Sequence, residues 1–144
     1  MDTDEPVNNM IKEALLKLRA DIKQQDDVTF AGTIPLNGIG WLNYEVFFSQ
    51  DSNGIGVRLC YNLMAHMDKV EEIRTTLEQL SKRACCFKDG KRWMKMTLST
   101  EPIHLVIIGH IRVPSSGLTR SHVFFELCDI LAITKANWPL SRDH

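Results

Sequence analysis

The chain has 144 residues, 44% hydrophobic and 24% charged, with 17 Lys and Arg against 18 Asp and Glu and a formal net charge of −1. Those proportions suit one soluble domain that buries its own core, read as a single domain over 1–144 with an ordered core over about 5–138. They exclude a membrane-spanning helix, because the longest uncharged apolar run, Ile103 to Ile111, is far short of the ~18 residues a span needs; the acidic start Met1-Asp2-Thr3-Asp4-Glu5-Pro6 is unlike a secretory signal, which points to the cytosol.

From Pro6 to Lys23 the apolar residues Val7, Met10, Ile11, Ala14, Leu15, Leu18 and Ile22 recur at three and four, which predicts an amphipathic helix ending near Gln24 to Asp27. The period then changes to two. Val28, Phe30, Ile34 and Leu36 form one face of a strand, Pro35-Leu36-Asn37-Gly38 a turn, and Leu42, Tyr44, Val46 and Phe48 the same face of a second strand over Trp41 to Ser49. Asp51-Ser52-Asn53-Gly54 is a hairpin signal, since Asn-Gly supplies the positive φ angles of tight turns. A third strand follows, with Ile55, Val57, Leu59, Tyr61 and Leu63 alternating against Gly56, Arg58, Cys60 and Asn62.

Asp68 with Glu71 three residues on reads as a capping box opening a second helix, Asp68 to Ala84, whose Val70, Ile73, Leu77, Leu80 and Ala84 form a narrow seam. Lys88-Asp89-Gly90-Lys91 is a turn. Trp93 to Leu98 and the run Ile103, Leu105, Ile107, Ile111, Val113 should then pair as an antiparallel hairpin. Pro114-Ser115-Ser116-Gly117 ends that hairpin. Leu118 to Asn137 is a third helix presenting Val123, Phe124, Leu127, Cys128, Ile130 and Leu131, stopped by Pro139. The resulting fold class is α+β, a five-stranded antiparallel sheet with three helices in the order α-β-β-β-α-β-β-α.

That element order, over about residues 5–138, resembles the class I chaperones of bacterial type III secretion, and also a group of bacterial proteins of the same fold without a secretion role. The resemblance implies a small cytosolic homodimer that holds an extended segment of a partner protein against its sheet. It places the helix from Asp68 to Ala84 at the dimer interface, through Ile73, Thr76, Leu77 and Leu80. Such chaperones are usually acidic, whereas this chain is nearly neutral.

The residues point the same way. A sheet covered on one side needs only one apolar face, yet the opposite parity carries Trp41, Phe47, Trp93, Val106 and Ile108. That surplus requires a cover, from a helix of the chain, a second subunit or a bound peptide, and these five are the candidate partner-binding residues. A second class, nucleic-acid binding, rests on Lys82, Arg83, Lys88, Lys91, Arg92 and Lys95, six bases against one acid over 82–95, with Phe87 and Trp93 interleaved.

An enzyme ranks third, because no motif assembles a catalytic set. Cys60, Cys85, Cys86 and Cys128 lack the spacing of a zinc site and read as packed thiols, with a redox role at Cys85 and Cys86 as the alternative. His104 and His110 share a face about 20 Å apart along one strand, too far to hold one metal. His66 and His122 read as solvated. The Gly38-Ile39-Gly40 and Gly54-Ile55-Gly56 pieces lack the third glycine and helix of a phosphate loop, and Ser115-Ser116-Gly117 lacks the glycine of a nucleophile elbow. The sequence implies no cofactor and no metal.

Overall fold

The computed structural model describes residues 7–26, 29–49, 54–82, 87–88, 91–92, 94–100 and 102–140, with backbone alone at 49, 80–82, 87–88, 91–92 and 100. The first stripe forms helix α1 (Val7–Lys17), burying Met10, Ile11, Ala14 and Leu15. The helix stops short of the expected Lys23. Arg19 adopts a left-handed φ of 64°, its N–H donates to Leu16 O at 3.1 Å, and the Ala20 N–H donates to Leu15 O at 2.9 Å. This is a Schellman ending with arginine where glycine is usual.

Ile22 therefore reaches the core from a strand, β1 (Asp21–Gln25), and the sheet has six strands rather than five. Strand β1 pairs antiparallel with β2 (Thr29–Leu36) through a bulge between Ile22 and Gln24. Two features seat it. Gly32 leaves no room for a Cβ, because the Asp21 carbonyl oxygen lies against it. The Tyr44 hydroxyl donates to that same oxygen at 3.1 Å. Burial, and after it the charge of Asp21, pushes the Tyr44 phenol up to about 12.

The rest of the sheet follows the alternation. Strands β2 and β3 (Gly40–Ser49) turn through Gly38 at φ 83°, closed by the Ile39 N–H donating to Leu36 O at 2.9 Å. The expected hairpin joins β3 to β4 (Gly54–Asn62), with Ser49 opposite Gly54. After β4 a 3-10 turn, Met64–Lys69, kinks at His66 before α2 (Val70–Lys82) begins, so Asp68 lies inside that turn rather than at a helix cap. Strands β5 (Phe87–Lys88) and β6 (Lys91–Arg92) form a small separate ribbon, while Asp89 and Gly90 of the expected turn lie outside the described residues. Strands β7 (Met94–Thr100) and β8 (Ile103–Arg112) pair as expected, and the main sheet runs β1-β2-β3-β4-β8-β7, antiparallel throughout. Helix α3 (Arg120–Ala136) starts at Thr119, whose hydroxyl oxygen accepts the His122 N–H at 3.1 Å.

The fold is α+β, with three α-helices among the described residues. Helices α1 and α3 lie together on one face of the sheet, where Leu15, Leu127 and Ile130 meet Ile34, Tyr44, Val46, Val57 and Leu59 around a void of only about 10 Å³. Gly109 permits this approach: Ile130 Cδ1 lies 3.0 Å from where a Cβ would sit. Glu13 ties the two helices at their surface, bridging Arg120 at 3.0 Å and Lys17 at 3.2 Å. Ile73 of α2 is fully buried in the same cluster.

Replacing Arg19 with glycine should raise stability by about 0.5–1 kcal/mol, because removing ~1–2 kcal/mol of left-handed strain outweighs the ~0.5–1 kcal/mol entropy that glycine adds to the unfolded chain. Urea denaturation with an unchanged slope measures this. A loss of stability would mean that the helix ending does not carry the strain.

Candidate functional site

Because residues alternate across a strand, burying Phe30, Ile34, Leu42, Tyr44, Val46, Val57, Leu59, Leu105 and Ile107 under the helices turns their neighbours to the opposite face. The register aligns those neighbours in rows. One row reads Ala31, Glu45, Arg58, Ile108, Lys95 across β2, β3, β4, β8 and β7; the next reads Thr33, Asn43, Cys60, Val106, Thr97. The helices α1 and α3 pack on the other side, and among the described residues no helix covers this face.

The sequence-predicted partner residues divide on that face. Trp41 is 59% exposed and Ile108 50%. Phe47 is 38% exposed, its ring lying over Gly56, where a side chain would collide with it. Val106 has the same parity but is only 6% exposed and presents almost no surface. Trp93 lies outside the described residues. The open face is therefore apolar at separated points, Trp41, Phe47 and Ile108, rather than along a continuous stripe.

His110 packs over Gly54, and its Nε2 is buried with no hydrogen-bond partner among the described residues. His104 Nδ1 sits 2.6 Å from the Pro102 carbonyl oxygen. The two other described histidines are more enclosed than expected: His66 is half-buried and stacked on Tyr61 with ring centroids 6.1 Å apart, and His122 is half-buried with Nε2 3.3 Å from Arg112 O. Cys60 is half-buried on the open face, and burial pushes its thiol up against the opposing pull of Arg58, so it is held as a thiol at neutral pH. Burial raises Cys128 too. Cys85 and Cys86 lie outside the described residues, and among those described no group of three or more His, Cys, Asp or Glu is placed to hold a metal.

On α2, Ile73 is committed to the chain's own core and offers nothing to a partner, while Thr76 and Leu77 are half-buried; the Leu80 side chain lies outside the described set. Thr76 Oγ1 donates to Glu72 O at 3.0 Å. Of the basic set, Lys95 stands exposed on the open face beside Ile108. The side chains of Lys82, Lys88, Lys91 and Arg92, and all of Arg83, lie outside the described residues. Sequence reasoning missed four exposed apolar residues: Met64 and Met67 on the 3-10 turn, Leu16 on α1 and Phe125 on α3. The 3-10 turn hid the first pair, since its period of three leaves no helical stripe to read.

No helix among the described residues is long and apolar enough to cross a membrane. Comparison with known proteins finds no matching family model, no matching curated protein and no matching solved structure.

If Ile108 serves the surface rather than the fold, Ile108→Thr should change stability by less than about 0.5 kcal/mol, whereas Val106→Ala, two residues away, should cost about 1–2 kcal/mol. Thermal unfolding of the two variants checks this. A large loss from Ile108→Thr would make that side chain part of the core.

Proposed function

We propose that the chain is a non-catalytic protein-binding module, a small cytosolic homodimeric chaperone that holds an extended segment of a partner protein. One observation carries this reading: α1 and α3 both pack on the same side of a six-stranded sheet, and the other side is open with Trp41, Phe47 and Ile108 exposed. An extended segment suits such a surface, because every second side chain along it faces the sheet, while its backbone can pair only at a strand edge. Strand β7 stands at the end of the strand order and offers an edge for such pairing. The dimer would use the outer side of α2 around Thr76, continued by the exposed Met64 and Met67 of the preceding turn, whereas Leu77 packs inward against the core with Ile73.

Two measurements test the reading. An apolar fluorescent dye and an extended apolar peptide should bind the native protein, and Trp41→Ala combined with Ile108→Asp should weaken both by at least about tenfold, the loss of roughly 1.4 kcal/mol or more; undiminished binding to the folded double variant would exclude this face. Sedimentation at several concentrations should give a dimer for the parent and a folded monomer for Thr76→Glu, because like charges would meet across a twofold axis. A parent at monomer mass throughout would remove the dimer, and a dimeric Thr76→Glu protein would move the interface off α2.

A further inference from the structure

The open face carries a charge pattern that narrows what it would hold, an inference that rests on the binding role proposed above. Its described charged residues include Arg58, Lys95 and Arg112 against two acids, Glu45 and, on the edge strand β1 opposite Thr33, Asp21, in a chain whose net charge is −1. The excess is placed rather than scattered. Arg58 lies directly opposite Ile108 on one side and Lys95 directly opposite it on the other, so the exposed Ile108 sits between two cations in one cross-strand row. Glu45 faces Arg58 from the far side and has no place in the register next to Lys95.

We propose that this row recognises an extended segment carrying an apolar residue flanked at two residues on either side by carboxylates, an acidic–x–apolar–x–acidic pattern laid across the strands. The spacing follows from strand geometry. In an extended segment, side chains on one face recur every ~6.7 Å, whereas neighbouring strands lie ~4.8 Å apart. An apolar residue seated on Ile108 therefore puts its flanking carboxylates ~2 Å beyond the strands of Arg58 and Lys95, a gap that the long arginine and lysine side chains span. Apolar contact at Ile108 supplies the anchor, and the two cations set the preference for charge and register.

Three labelled peptides of ~9 residues test it, long enough to cross the sheet at ~3.3 Å per residue. They share a central leucine flanked at two residues on each side by aspartate, asparagine or lysine, and binding is read by fluorescence anisotropy at low and high salt. The aspartate peptide should bind roughly 3- to 10-fold more tightly than the asparagine peptide at low salt, with the advantage lost at high salt. The double variant Arg58→Glu/Lys95→Glu, both positions being exposed, should reverse the order and prefer the lysine peptide. Equal binding of the aspartate and asparagine peptides at low salt, or a double variant with unchanged preference, overturns the charge pattern while leaving the protein-binding reading in place. Binding of none of the three peptides removes both. A single-stranded oligonucleotide that binds the parent more tightly than the aspartate peptide, and loses binding in the double variant, assigns the row to nucleic acid instead.

Discussion

A sheet buried on one side must find its cover within reach of the chain, and here the helices α1 and α3 supply that cover to one face alone. Their packing is close because Gly109 lets Ile130 descend onto the strands, and because Leu15 and Leu127 fill the space over Val46 and Val57 down to a void of about 10 Å³, roughly room for one water. Helix α2 adds Ile73 to the same cluster. The opposite face is therefore left to whatever side chains the alternation happens to turn outward, and its composition becomes the main clue to what the protein meets.

The sixth strand is bound into this arrangement through a few contacts at one point. Arg19 ends α1 in a left-handed conformation, and the reversal carries Asp21 to the edge of β2. There the Asp21 carbonyl oxygen rests against Gly32 and accepts the Tyr44 hydroxyl. Each contact depends on the others: a side chain at residue 32 would displace the carbonyl, and without that carbonyl the phenol would lose its partner at a position where it is 4% exposed. The added strand widens the sheet without adding any cover, since Ile22 is its single residue turned into the core cluster.

On the open face, position in the register matters more than residue type. Val106 and Ile108 are both β-branched, share a strand and a face, and differ from 6% to 50% in exposure. Ile108 lies between Arg58 and Lys95, long side chains whose charged ends leave the apolar centre exposed. Val106 lies between Cys60 and Thr97. The result is an isolated apolar point between two cations in one cross-strand row.

The sequence by itself determined what period and turn chemistry encode: three helical stripes, the alternation of β2, β3, β4 and β8, the hairpin pairing of β3 with β4, and the buried side of those four strands. Those features are local and repeat several times, so each apolar residue supports its neighbours' assignment. It also identified Trp41, Phe47 and Ile108 as surplus, because parity alone assigns a residue to a face. Tertiary structure decided the rest. The end of α1 was hidden because an arginine takes the conformation usually given to glycine, so the helical period ran on unbroken into Ile22. The glycine at 32 was the available sign that another backbone comes close at that point. The grouping of Arg58 with Lys95 was equally hidden, since residues 37 positions apart become neighbours only when β8 inserts between β4 and β7, and pairing between strands distant in sequence leaves no period along the chain.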